Sequence, residues 1–301
     1  MAITNFIPEL WDAAVQVPYE NSLIFAQPNV VNRDYEGTIQ QMGDTVNVTS
    51  VGKPTIKKYD KNTDLVFEDL TDTNEKLVID QGDYFGFRVN DVEKVQAAGN
   101  FQGPATVSAG TGLRDTVDKY ISGLFEPGAL TANKLGRVNV LNADPDYVTT
   151  GQLSAYDVIV QLREKLDRQS VPQEGRFVIV DATFISCLLL DDRYTDLSKS
   201  GSTEGLLNGQ VGRATGFNVL VSNNTSKVGG SGAAKDDMVI SAGVPGALSF
   251  ASQLTEVEAL REEKRFADLV RGLNIYGAKV FRPEGIATAT VTYAPRVFPT
   301  P

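Results

Sequence analysis

The chain has 301 residues, of which 42% are hydrophobic and 22% charged, the proportions of a folded globular protein. Its 28 basic and 38 acidic side chains leave a net charge of −10, with no histidine and a single cysteine, Cys187. These facts exclude bulk electrostatic capture of a phosphate backbone, Ser-His-Asp and Cys-His nucleophiles, histidine-ligated metals, thiolate zinc clusters and an intramolecular disulfide.

The length suits one large domain or two modest ones. No targeting signal is legible. The first basic residue is Arg33, and Glu9 and Asp12 stand where a signal peptide needs positive charge. The longest apolar run, Phe184–Leu190, is too short for a bilayer and is broken by Ser186. The expected compartment is the cytoplasm, or an assembly that forms there.

Residues 1–37 show little periodicity. A short helix is expected from Pro8 to about Val15, followed by an extended arm anchored by Leu23, Ile24, Phe25, Val30 and Val31. Such an arm cannot bury its own side chains. It packs either on the rest of the chain or on a neighbouring copy, and the sequence leaves these two even.

Residues 38–89 read as β structure. Thr45–Thr49 and Leu77–Ile79 are β-rich, and Tyr84–Val89 is a further strand. Between the first two lies a polar stretch with Lys53, Lys57, Lys58 and Lys61 on one limb and Glu68, Asp69, Asp72 and Glu75 on the other. This is a long hairpin with a poor core, and it needs something outside itself to lie against. A short helix is expected over Asp91–Ala98.

Pro104 then opens a longer helix. Leu113, Val117, Ile121 and Leu124 form its apolar stripe, which Val107, Tyr120 and Phe125 widen. Gly110 and Gly112 weaken it by about 1 kcal/mol each relative to alanine and suggest a bend or a close backbone approach. Glu126-Pro127-Gly128 ends it.

Residues 151–250 have α/β texture. Ser154 to Asp157 is a capping box before Val158, Ile159, Leu162 and Leu166. Phe177–Val180 is a buried strand, and Asp181 caps a short apolar helix that holds Cys187 as an inert core thiol. Ser198–Gly216 is a glycine-rich loop, and Phe217–Val221 and Met238–Ser241 are strands. The chain then returns to β: an irregular strand from Leu248, a charged turn at Arg261–Arg265, and two strands, Leu269–Phe281 and Ile286–Tyr293.

Catalytic chemistry is hard to place. Gly230-Ser-Gly232 has two glycines and Lys235 nearby, but it follows no clean strand and opens no helix, so it reads as a loop rather than a phosphate cradle. The adjacent carboxylates at 191–192, 236–237 and 262–263 point to opposite faces if extended and read as surface or turn residues.

The C-terminal run Glu256-Val-Glu258-Ala-Leu-Arg261, Arg265-Phe-Ala-Asp268, Gly272-Leu-Asn-Ile-Tyr-Gly-Ala-Lys279 and Phe281-Arg-Pro-Glu284 resembles the major capsid proteins of tailed bacteriophages, with their Hong Kong 97-type shell fold. Gly205-Leu-Leu-Asn-Gly209 followed by Gly216-Phe-Asn-Val-Leu-Val-Ser222 is similar to that family's central domain. The resemblance implies an α+β chain divided into an N-terminal arm (1–37), an extended hairpin or E-loop (38–88), a peripheral domain with a long spine helix (89–150), an axial domain (151–245) and peripheral return strands (246–301). It implies assembly with copies of itself as pentamers and hexamers into an icosahedral shell around a double-stranded DNA genome. Some relatives carry a long N-terminal scaffolding segment. Here the expectation is a separate scaffolding protein or none, together with a portal, decoration proteins, DNA held without specific recognition, and no membrane.

Expected subunit contacts are Phe6, Trp11, Leu23 and Phe25 in the arm, and Lys53, Lys57, Lys58, Lys61, Glu68 and Asp69 in the hairpin. No catalytic residue, cofactor or metal is expected. Some relatives join an E-loop lysine to a neighbour's asparagine. Lys57, Lys58 or Lys61 and Asn274 are the candidate pair, with no identifiable carboxylate base, and the expectation is a non-covalent shell. The alternatives are an encapsulin-like compartment, for which the hairpin is too long, and a soluble α/β enzyme, against which the missing histidine argues.

Overall fold

The computed structural model of the chain describes residues 23–35, 43, 45–51, 54–59, 61, 64, 67–69, 72–90, 102–141, 151–195, 212–227, 237–254, 258–261 and 266–293. The helices expected at 8–15 and 91–98, most of the 198–216 loop, the 230–235 stretch and the turn residues 262–265 lie outside them.

The hairpin begins with β1 (Thr45–Val51) and β2 (Asp72–Val78), antiparallel from Thr45 opposite Val78 to Val51 opposite Asp72. Both strands run further into the polar stretch than the β-rich runs at 45–49 and 77–79. The described residues between them, among them Lys57, Lys58, Lys61, Glu68 and Asp69, carry no strand. β3 (Gln81–Asn90) leaves the hairpin for a different sheet.

The long helix α1 (Gln102–Gly128) has 27 residues and so spans about 40 Å. It buries Leu113, Val117, Ile121 and Phe125, at helical spacing. It differs from expectation in three ways. It starts two residues before Pro104. It runs through Pro127, near an end where the missing N–H costs little, and the Ala129 N–H closes on the Phe125 carbonyl at 3.1 Å. Val107 is 60% exposed rather than part of the stripe. Among the described residues, nothing lies within 4 Å of where a Cβ would sit on Gly110 or Gly112, so neither marks a close approach there.

After β4 (Lys134–Val140) and β5 (Gln152–Leu153), helix α2 (Ala155–Arg168) is capped by Ser154, whose Oγ accepts the Asp157 N–H at 3.1 Å. Strand β6 (Phe177–Val180) leads into α3 (Ala182–Leu189), capped by Asp181, which accepts the Thr183 N–H at 3.0 Å. α4 (Asp192–Thr195), β7 (Arg213–Ala214), β8 (Phe217–Val221) and β9 (Met238–Gly243) follow. The chain closes with β10 (Leu248–Leu254), β11 (Glu258–Arg261), β12 (Ala267–Val280) and β13 (Ile286–Tyr293).

Seven strands form one mixed sheet in the order β5-β4-β13-β9-β6-β8-β7. It draws β4 and β13 from outside 151–245 and the other five from inside. β6 is buried on both faces, which explains its unbroken Phe-Val-Ile-Val run. Val178 and Val180 face the core of α2 and α3, while Phe177 and Ile179 face α1. A second sheet is built on β12, with β3 along one edge and β10 and then β11 along the other. The arm residues Ile24, Phe25, Val30 and Val31 pack between α1 and this framework. Of the two possibilities, this part of the arm packs on its own chain.

Candidate subunit interface

The hairpin tip combines charge with bare apolar surface. Ile56 is 96% exposed and Phe67 89% exposed, and Tyr59 is exposed beside them. Lys57, Lys58, Lys61, Glu68 and Asp69 are exposed on the same two limbs. The limbs touch: the Thr55 N–H donates to the Glu68 carboxylate. Glu68 is thereby committed within its own hairpin. Scattered apolar residues on a surface need no explanation, but three large ones exposed on one hairpin do.

The base of the hairpin, in contrast, is firmly seated. Leu77 and Ile79 are fully buried against Ala251 and Ile275. Lys279 Nζ pairs with Glu75 Oε2 at 3.1 Å across the junction. A Cβ on Gly277 would lie 2.3 Å from the Val78 carbonyl oxygen, so glycine there permits the contact. The hairpin is anchored at one end and presents its apolar tip at the other.

A second bare surface lies on the β12 sheet. Tyr84 and Leu273 are directly opposite one another and both exposed, at 79% and 40%. Cross-strand partners share a face, and Leu273 shares its face with Ile275 two residues on. That face is covered by the hairpin base at Ile275 and left open from Leu273 onward. Leu260, exposed on β11 opposite Leu269, extends the open row, with Arg88 and Arg271 at the same surface.

Of the expected contact residues, Phe6, Trp11 and Lys53 lie outside the described residues. Leu23 is half-buried beside α1. Phe25 is completely buried within its own chain, its ring 5.7 Å from that of Phe125, and so has no surface left for a neighbour. Asn274 is 8% exposed on β12. It borders a cavity of about 710 Å³ between the arm, the first half of α1 and the sheet. The sequence reading missed Ile56, Tyr59 and Phe67 as surface features. Their signal was present in Ile56-Lys-Lys-Tyr59, where apolar residues interrupt a basic limb that has no core to bury them.

A family model described as phage capsid protein matches residues 74–289. The chain belongs to this phage capsid protein family. A solved structure from Mycobacterium phage Che8 is 30% identical, with a TM-score of 0.74 over 96% of this chain and 98% of that one. The capsid structure of cyanophage P-SCSP1u superposes with a TM-score of 0.74 at 17% identity, covering 96% and 94% of the two chains. The capsid of Ralstonia phage GP4 gives 0.66 at 14% identity, covering 100% and 99%. Comparison with curated proteins gives no match. The α+β architecture is therefore the Hong Kong 97-type capsid fold, and the protein is a structural subunit of a phage shell, not an enzyme. No helix among the described residues is long and apolar enough to cross a membrane.

Proposed function

We propose that this protein is the major capsid subunit of a tailed phage, forming pentamers and hexamers that close into an icosahedral shell around double-stranded DNA. The observation that carries the detail is the pairing of two bare surfaces on one chain. The tip offers Ile56, Tyr59 and Phe67 with lysines and carboxylates. The sheet offers Tyr84, Leu273 and Leu260 with arginines. In this reading the exposed tip of one subunit lies on the exposed sheet face of the next, which covers both apolar surfaces at once. In this reading residues 38–88 are the E-loop, α1 is the spine helix of the peripheral domain and 151–245 is the axial domain.

Lys53, Lys57, Lys58 and Lys61 meet acidic residues of a neighbour that lie outside its arginine-bearing sheet face, rather than DNA. Exposed pairs of this kind contribute at most about 1 kcal/mol each and are screened by salt, so they set register and assembly rate more than final stability. A chain with net charge −10 holds its genome without gripping it. A separate scaffolding protein or none guides assembly in the host cytoplasm, with a portal and decoration proteins as the further partners.

The test is the triple substitution Lys57→Glu, Lys58→Glu, Lys61→Glu. Assembly should slow or misdirect at low salt while the subunit stays folded by circular dichroism. Normal particles at normal yield would remove any assembly role from the hairpin's charge pattern.

A further inference from the structure

The cavity of about 710 Å³ between the arm, the first half of α1 and the β12 sheet has a helix wall of Val107, Gly110, Thr111 and Arg114. These recur at the three- and four-residue spacing of one helix face. Val107 is 60% exposed, and among the described residues nothing lies within 4 Å of where a Cβ would sit on Gly110. The later turns of α1 are covered: Val117, Ile121 and Phe125 are buried in one cluster with Ile24 and Phe25 of the arm. The described arm therefore closes the second half of the helix and leaves one face of the first half open. The opposite wall includes the ring of Phe85, which lies across Gly272, where a Cβ would come within 2.5 Å of it.

Two observations indicate what covers this face. The first is where the described chain begins. Leu23 itself borders the cavity, so residues 1–22 join the chain at its rim. Trp11 stands twelve residues earlier, and an extended stretch of that length reaches up to about 40 Å. The distance along α1 from Val117 to Val107 is only about 15 Å. The second is complementarity. The described cavity residues include two cations, Arg33 and Arg114, and no acid. Arg33 donates to the Ala26 carbonyl at 3.3 Å and lies 5.6 Å over the Phe250 ring, which fixes its charge at the cavity wall. Residues 1–22 carry Glu9, Asp12 and Glu20 and no lysine or arginine. Their Ile7, Leu10, Trp11, Ala14 and Val15 share one face at helical spacing, with Glu9 and Asp12 outside it. Turning that stripe into the cavity leaves the acids at the rim, where Arg114 is exposed.

We propose that residues 6–15 fill this cavity in their own chain, with the apolar stripe against Val107 and Phe85 and the carboxylates of Glu9 and Asp12 beside Arg114 and Arg33. The N-terminal segment is then an intramolecular cover that continues the arm's packing along α1, not a tether to a neighbouring subunit. A short connection to Leu23 gives the chain's own segment a high effective concentration at the cavity, which a neighbour's copy lacks.

Trp11 is the only tryptophan, so its fluorescence reports on the segment. In the full chain its emission should be blue-shifted from that of free tryptophan. Arg114→Glu, a change at an exposed position, should shift it to the red and raise acrylamide quenching severalfold, and adding Glu9→Lys and Asp12→Lys should restore it. The occupant is read by cross-linking. Phe6→Cys, Leu10→Cys or Ala14→Cys is combined with Thr111→Cys, oxidised, and run on non-reducing denaturing gels beside the single-cysteine additions; Cys187 is buried. At least one pair should close within the chain, giving a linked peptide at monomer mass. Dimers as the only cross-linked product would assign the cavity to a neighbour's segment. No cross-link from any pair would leave it to residues 91–101 or to an outside partner. Either result overturns the proposal, as does Trp11 emission that matches free tryptophan or that Arg114→Glu leaves unchanged.

Discussion

At the scale of single residues, buried polar groups show how local charge is managed. The Asp191 carboxyl is almost fully buried and meets the Arg193 guanidinium at 2.8 Å. Arg193 also bonds Asp157 at 2.8 Å and the Ser154 hydroxyl at 2.5 Å, tying the start of α2 to α4. Burial alone would raise Asp191, but the bonds and charge of Arg193 outweigh it and hold the carboxyl below its ordinary range. A depressed folded-state value contributes stability above about pH 4, lost as pH falls through the folded value. Asp191→Asn should therefore flatten the acid limb of a melting-temperature profile below about pH 4. Arg193→Ala strands a buried carboxylate, although the arginine itself is 41% exposed. It should cost about 2 kcal/mol by denaturant unfolding. In the arm, Phe25→Ala empties a fully buried site against Phe125 and should cost about 3–5 kcal/mol.

At the scale of elements, much was legible where the signal is local. The Ser154 and Asp181 caps, the doubly buried strand at 177–180 and the Leu113–Phe125 part of the α1 stripe depend on spacing within about a dozen residues, and these form as read. What depended on distant partners was not legible. Leu77 and Ile79 announce a strand, but not that Gly277 must lack a Cβ for Val78 to approach β12. Gly110 and Gly112 suggested close packing, whereas the glycines that need space are 128, 243, 272 and 277. In the candidate interface the lysines stood out by charge. Ile56, Tyr59 and Phe67 did not, because exposure of an apolar side chain is a property of the folded chain. Gly277→Ala tests the seating of the hairpin. The added methyl meets backbone, which cannot yield as a side-chain tip can. A loss of about 2–3 kcal/mol is expected, with faster proteolysis of residues 43–80. Unchanged cleavage would show that the base is not held at this point.

At the scale of the whole molecule, the seven-stranded sheet and the β12 sheet share the core around α1, and the hairpin seated on the β12 sheet leaves its apolar tip uncovered. Replacing Ile56, Tyr59 and Phe67 by serine should change subunit stability by less than about 0.5 kcal/mol, as expected for exposed positions, yet abolish assembly. The shell should be non-covalent, so denaturing gels of mature particles should show one band at the monomer mass. Ladders of high mass would place Lys57, Lys58 or Lys61 in a cross-link. The most direct measurement is electron cryomicroscopy of the full chain co-expressed with the assembly genes of its own phage. Closed shells are expected, with the 54–69 tip of each subunit lying on the Tyr84–Leu273 face of its neighbour. Discrete small oligomers alone, or shells in which those tips face solvent, would contradict it.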